Sequence, residues 1–176
     1  MSIDIYKYKI VSGILNTKGE HTLEDGGIVY DYLKLKIENK NVLLKNVTVL
    51  SVTNSALSLG HKITLYYATY PHHDNIKSDA PDKCFVIAIK DGEELMYDPD
   101  ELDLMSYKAR KSASSYNAAA MANLFLGFIL VFVIIGIFFF YRAYEFFSAA
   151  KHSSRIADLI SAKNTRLFLL NNGENL

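Results

Sequence analysis

The sequence predicts an α+β protein: a small antiparallel β-barrel or sandwich at the N-terminus, then one transmembrane helix and a short amphipathic helical tail. Two observations carry this prediction. Before residue 100, apolar residues alternate with polar ones, which is the period of half-buried strands. Later, thirty consecutive residues from Ser112 to Tyr141 carry no charged side chain. The expected divisions are a β-rich domain over 1–105, a juxtamembrane tether over 106–117, a membrane helix over 118–141 and a tail over 142–176.

Five or six short strands are expected in the first hundred residues. The segment Tyr30–Glu38 alternates three aliphatic residues with two lysines and a glutamate, as a strand with one buried face does. Gly13 suits a bulge or bend that curls the sheet. Polar loops are expected over Asn16–Gly27 and Pro71–Lys83. The other expected strands are Tyr6–Leu15, a segment starting at Val42, His61–Tyr70, Cys84–Lys90 and a short one ending at Tyr97.

The charge-free segment is long enough for a single membrane crossing. Twenty-four residues from Ala118 to Tyr141 make about 36 Å of helix, and a hydrocarbon core of about 30 Å needs about twenty. The N-terminus has no apolar signal sequence, which favours an N-terminal domain in the cytoplasm. Expected anchoring or lipid-headgroup residues flank the segment: Lys108, Arg110 and Lys111 before it, and Tyr141, Arg142 and Tyr144 after it.

The β-rich part resembles the oligonucleotide/oligosaccharide-binding (OB) small barrels. The resemblance rests on the strand order, on Gly13 in the first strand and on the phrase LGHKITLYY from Leu59, and it covers roughly residues 5 to 97. The chain also looks similar to uncharacterised bacterial single-pass proteins that join such a barrel to a membrane helix. That resemblance implies a bacterial inner-membrane location and a barrel whose exposed face and loops bind something.

Candidate ligand-binding residues follow from this resemblance: Tyr66, Tyr67, Tyr70, His72 and His73. A nucleic-acid face interleaves aromatic rings with several basic residues, whereas Lys62 and Lys77 are the nearby cations here. With nineteen basic and nineteen acidic residues, the chain carries no net charge that would attract nucleic acid. Nucleic acid is therefore not the expected partner.

No pattern in the sequence indicates catalysis, a cofactor or a metal. His72, His73 and Asp74 have metal-ligating side chains, but a catalytic zinc site needs three correctly spaced protein ligands. The sequence has no HExxH or CxxC motif that would complete such a site. The acidic run Asp98–Asp103 suits the first turn of a helix. The single cysteine, Cys84, starts a strand and is expected to be buried.

The predicted function is therefore a membrane-anchored, non-enzymatic binding or assembly module that presents a small β-domain at the membrane surface. Its expected partners are the lipid bilayer and either another protein or further copies of the chain. One alternative is a membrane-tethered ligand or nucleic-acid sensor that uses an OB-like face. A second alternative is a metal-dependent enzyme that uses the histidines near residue 72.

Overall fold

The computed structural model describes residues 7–24, 27–71, 83–129 and 135–174. These ranges contain seven strands and four helices. In chain order they are β1 (Lys7–Lys18), β2 (His21–Glu24), β3 (Gly27–Ile37), β4 (Lys40–Val49), α1 (Ser51–Asn54), β5 (Lys62–Tyr70), β6 (Lys83–Asp91), β7 (Glu94–Met96), α2 (Pro99–Ile129), α3 (Ile135–Leu159) and α4 (Ala162–Asn171).

Five of the strands close into a barrel. β1 pairs antiparallel with β5 on one side and with β3 on the other. β3 pairs antiparallel with β4, and β5 with β6, while a parallel pairing of β4 with β6 completes the ring. β2 extends the sheet beside β3, and β7 pairs with β6. The α+β class and the small β-barrel predicted from the sequence are confirmed.

Alternating apolar side chains fill the barrel. In β3, Leu33 and Leu35 are fully buried and Lys36 between Leu35 and the turn is exposed, as the two-residue period requires. Burial of each such aliphatic side chain stabilises the fold by about 1.5–3 kcal/mol. The core is a single cluster that includes Val11, Leu15, Leu44, Val47, Val49, Ile63, Leu65, Val86 and Ile89.

Two glycines permit close contacts between the strands. A Cβ at Gly13 would lie 2.7 Å from the backbone oxygen of Lys36 on β3. A Cβ at Gly27 would overlap the backbone oxygen of Val49, and Gly27 has a φ of 124°. The irregularity predicted at Gly13 lies slightly later, since the β1–β3 register shifts between Leu15 and Thr17. Within the segment expected as a polar loop, the structure adds the short strand β2.

The helical part differs from the sequence prediction. Segment 106–117, expected as a tether, belongs to α2, which runs without a break from Pro99 to Ile129. The single helix expected over 118–141 is absent from the described residues: α2 ends at Ile129, α3 begins at Ile135, and 130–134 lie outside the described ranges. In the part of the chain that the structure describes, no helix combines the length and apolarity that a membrane crossing requires.

The chain divides into two compact units. The barrel unit contains residues 1–105 together with 159–176, and the hairpin unit contains residues 106–158. The described part of the predicted tail over 142–176 contains the end of α3 and all of α4, and it is divided between the two units. Within the barrel unit, the ring of Phe168 on α4 stacks on Tyr8 with centroids 4.5 Å apart, and the Tyr8 hydroxyl donates to the carbonyl oxygen of Leu159.

Candidate functional site

α2 and α3 run antiparallel within the hairpin unit. The Ser106 hydroxyl donates to the carbonyl oxygen of Ala157 at 2.8 Å, and the ring of Phe128 meets Phe140 edge-on with centroids 5.5 Å apart. Residue numbers therefore rise along one helix as they fall along the other. Two aromatic residues twelve positions apart in one straight helix would be separated by about 18 Å. This contact shows that the described parts of the segment, residues 118–129 and 135–141, are not parts of one straight helix.

Small residues line the contact between the two helices. A Cβ at Gly127 would lie 3.0 Å from the Phe140 ring, so the glycine lets that ring pack on the backbone of α2. Small side chains allow two helix backbones to approach closely. The buried alanines of the hairpin unit are Ala113, Ala120, Ala143, Ala149, Ala150 and Ala157.

Large apolar side chains are exposed where α2 ends and α3 begins. We call residues 124–129 and 135–140 the apolar end of the hairpin. Phe125, Phe128, Ile137 and Phe138 are 67%, 69%, 72% and 57% exposed there. Grouped exposed apolar side chains are typical of surfaces that bind another protein or a membrane.

Tyr141, Arg142 and Tyr144, which the sequence predicts as anchoring residues, lie on α3 directly after the apolar end. The two tyrosines are exposed, and Arg142 between them forms an ion pair with Glu145 at 3.1 Å. The Arg142 guanidinium also lies 5.7 Å from the centre of the Phe138 ring. Tyrosine rings beside a cation are typical of a membrane–water interface.

The other predicted anchoring group lies elsewhere on the hairpin. Lys108, Arg110 and Lys111 are in the first half of α2, and Arg110 binds Asp158 on α3 at 3.0 Å. Fourteen positions separate Lys111 from Phe125, which is about 20 Å along the helix. The three basic residues of α2 therefore lie at a different height along the hairpin from Tyr141, Arg142 and Tyr144.

The predicted ligand-binding tyrosines do not share an open face. Tyr67 points into the barrel core and is 7% exposed, whereas its neighbour Tyr66 points outward and is 4% exposed. The Tyr66 hydroxyl donates to the carboxylate of Glu174, and burial together with this carboxylate raises the pKa of Tyr66 to about 12. Burial also raises the pKa of Tyr70, at the end of β5, above its ordinary value. His72 and His73 lie outside the described residues.

A cavity of about 210 Å³, which the sequence did not indicate, lies at the end of the barrel where β1 and β6 begin. Lys9 and Lys45 on its walls are exposed and form no ion pair with any described residue. Burial raises the pKa of the Cys84 thiol in its floor to about 11, so this group is a neutral thiol at neutral pH. The remaining lining residues are Leu43, Leu44, Tyr67 and Thr69. The chemistry suits a small anion rather than a nucleophilic reaction.

A larger groove of about 420 Å³ runs along α4 within the barrel unit. The Tyr97 hydroxyl donates to the carbonyl oxygen of Ala162 at 3.2 Å and closes one side of the groove. Lys163 and Arg166 supply positive charge, and Leu167 and Leu170 supply apolar surface.

The acidic residues near the start of α2 have structural partners. An oxygen of Asp98 accepts a hydrogen bond from the backbone nitrogen of Glu101 at 3.0 Å, which is the helix-capping role expected from the sequence. An oxygen of Asp103 accepts from the backbone nitrogen of Ala162 at the start of α4, also at 3.0 Å. Within the described ranges, no three histidine, cysteine, aspartate or glutamate side chains come together in a way that could hold a metal ion.

Comparison with protein-family models, with curated proteins and with solved structures finds no match to this chain.

Proposed function

We propose that the protein is a non-enzymatic binding module, held at a lipid bilayer by the apolar end of its helical hairpin, which presents the β-barrel to a protein partner. The observation that carries the proposal is the set of four large apolar side chains, Phe125, Phe128, Ile137 and Phe138, that are each more than half exposed at the apolar end. They lie within a stretch free of charged residues from Ser112 to Tyr141.

The expected strength of attachment supports a reversible association. Transfer of a fully exposed side chain of this size out of water is favourable by about 1.5–3 kcal/mol, so four half-exposed side chains contribute about 4–8 kcal/mol. A single myristoyl chain binds membranes with a constant of about 10⁴ M⁻¹, which lies in the same range of free energy. An interfacial belt of Tyr141, Arg142 and Tyr144 adds to this attachment.

Flotation with lipid vesicles tests the proposal. The purified chain is mixed with vesicles of phosphatidylcholine and phosphatidylglycerol, and the protein that floats with the lipid is measured. We expect the wild type to float, and a variant with serine at positions 125, 128, 137 and 138 to lose at least tenfold in partitioning. The matched control carries serine in place of four exposed apolar residues of the barrel unit, Leu23, Leu43, Val52 and Leu59.

The control separates specific attachment from general stickiness. We expect the barrel control to float as the wild type does. A wild type that stays with the soluble fraction, or equal losses in the two variants, would contradict attachment through the hairpin.

A second candidate function, ligand sensing by the barrel, is favoured by two observations. The first strand of the barrel pairs with the second and fourth, and the third pairs in parallel with the fifth, which is the connectivity expected for the OB resemblance. The cavity between Lys9 and Lys45 offers two cations to an anionic ligand. Binding of a fluorescent single-stranded oligonucleotide at low salt, where phosphate contacts are strongest, tests the nucleic-acid version. The matched variants are Lys9→Ala with Lys45→Ala, and Lys36→Ala with Lys40→Ala as the control.

A further inference from the structure

We infer that the hairpin enters only one leaflet of the bilayer, with its apolar end among the acyl chains and Tyr141 to Tyr144 at the level of the headgroups. This inference rests on the proposed membrane attachment and specifies its depth. The partner surface is the acyl-chain layer of a single leaflet, not a hydrophobic protein and not both leaflets.

The length of the apolar part of α3 fits one leaflet. Seven residues from Ile135 to Tyr141 make about 10 Å of helix. Half of a hydrocarbon core of about 30 Å is about 15 Å. The described apolar part of α3 is therefore shorter than one leaflet is thick.

Charged residues on α3 limit the depth of insertion. Arg142 and Glu145 follow the apolar end directly, and their side chains are 51% and 42% exposed, so they face whatever surrounds the hairpin. Charged side chains in the hydrocarbon are costly unless they are buried within protein or line a water-filled cavity. At the headgroup level, the same pair remains hydrated.

The contacts between α2 and α3 show why the hairpin does not insert deeper into the bilayer, although α2 has a long charge-free stretch. The ring of Tyr116 on α2 stacks near Phe146 on α3, with centroids 6.4 Å apart, and Arg110 binds Asp158. The part of α2 between these contacts is therefore level with the part of α3 that carries Lys151. A full crossing down to Lys111 would carry Arg142, Glu145 and Lys151 into the hydrocarbon together.

Polar groups beside the expected headgroup level are consistent with this depth. The side-chain amide of Asn123, just before the apolar end, donates to the carbonyl oxygen of Ala119 at 2.8 Å. One of its hydrogen-bonding groups is therefore satisfied within α2. In this arrangement Tyr141, Arg142 and Tyr144 contact headgroups, whereas Lys108 and Lys111 lie in water about 20 Å further along α2.

Spin labels at single introduced cysteines measure the depth in the full-length chain on vesicles. The label positions are Phe128, Phe138, Tyr144 and Tyr107, all of them exposed, while the native Cys84 is buried. Collision rates with oxygen, which is enriched among acyl chains, and with a water-soluble nickel complex give the depth of each label. We expect labels at 128 and 138 in the hydrocarbon, the label at 144 at the headgroups and the label at 107 in water.

Three outcomes would overturn the inference. In one, the label at 144 lies in the hydrocarbon; in another, the labels at 128 and 138 are reached by nickel complex enclosed inside the vesicles. In the third, the label at 128 or 138 is shielded from both reagents and its spectrum is broadened by the same label on a second chain, which would show that a second copy covers the apolar end. Failure of the wild type to float with vesicles would instead remove the proposed membrane attachment itself.

A pair of variants tests whether the charges set the depth. Replacing both Arg142 and Glu145 with leucine is expected to move the label at 144 into the hydrocarbon. The matched variant, Arg142→Lys with Glu145→Asp, keeps both charges and is expected to leave the label at the headgroups. An unchanged depth in the leucine variant would contradict the assignment of these residues.

Discussion

Glu174 links the C-terminal end of the described chain to the barrel. Its carboxylate accepts hydrogen bonds from the Lys90 ammonium at 2.7 Å and from the Tyr66 hydroxyl, and the residue is 9% exposed. Hydrogen bonding by Lys90, and then by Tyr66, lowers the pKa of Glu174 below its ordinary value of 4.5. The charged form is therefore the one that stabilises the fold.

Glu174→Gln is expected to reduce stability at neutral pH by about 1.5–3 kcal/mol, the usual contribution of a hydrogen bond to a charged group. Because the folded-state pKa is lowered, the contribution is present above about pH 4.5 and is lost as the pH falls through the folded-state value. Urea denaturation followed by circular dichroism at several pH values checks this. The variant should show a flatter pH dependence below pH 5 than the wild type. Glu93→Gln, at an exposed turn position, is the control and should behave as the wild type.

Gly27 and Gly60 give a second comparison at the residue scale. Both have positive φ, but a Cβ at Gly27 would overlap the backbone oxygen of Val49, whereas a Cβ at Gly60 would meet nothing within 4 Å. Gly27→Ala is expected to cost about 3 kcal/mol or more, from backbone strain and overlap together. Gly60→Ala is expected to cost about 1–2 kcal/mol from strain alone. Thermal unfolding of the two variants checks the order, and equal losses would contradict it.

The buried tyrosines show what sequence patterns can and cannot predict for single residues. The two-residue period places neighbours such as Tyr66 and Tyr67 on opposite faces, so their separation could be anticipated from the strand prediction. The hydrogen bond between Tyr66 and Glu174 could not be anticipated, because Glu174 is 108 positions away in the chain. The cavity beside Lys9 and Lys45 could not be anticipated either, since its lining strands are brought together only by closure of the barrel.

At the scale of elements, the strands were predictable and the hairpin was not. Each barrel strand has one face in the core, and this leaves the alternation that the sequence shows in Tyr30–Glu38. A charge-free stretch, in contrast, has the same composition whether it forms one long helix or the two arms of a hairpin. The decisive feature is the contact of Gly127 with Phe140, which joins residues on opposite arms.

Gly127→Val is therefore expected to move α2 and α3 apart at the apolar end, since the Phe140 ring lies 3.0 Å from the position of a Cβ. Spin labels at the exposed positions Met121 and Tyr144 report the distance between the arms. We expect an increase of at least 2 Å, about the van der Waals radius of a methyl group. Ala118→Val, at an exposed position of the same helix, is the control and should leave the distance unchanged. No change in either variant would contradict tight packing at Gly127.

At the scale of the whole molecule, the two units are interleaved along the chain. The barrel unit takes residues from both sides of the hairpin unit, so the chain leaves the barrel unit after Met105 and returns at Leu159. The sequence pattern predicts a domain boundary at 105 but places the last residues in a separate tail. The stacking of Phe168 on Tyr8 and the ion pair of Glu174 with Lys90 depend on tertiary contact and leave no local signal.

This interleaving predicts that the barrel unit folds without the hairpin and is less stable without α4. The Ser106 hydroxyl binds the carbonyl oxygen of Ala157 at 2.8 Å, so the two ends of the hairpin unit are close, and a linker of about six glycine and serine residues can replace 106–158. We expect this variant to unfold cooperatively with urea and to lose vesicle binding. A fragment ending at residue 105 lacks Leu169, which is fully buried, and the partners of Tyr8 and Tyr66, so it should unfold at lower urea. Equal stability of the linked variant and the fragment would mean that α4 does not stabilise the barrel. Vesicle binding by the linked variant would mean that the barrel unit, not the hairpin, attaches the protein to lipid.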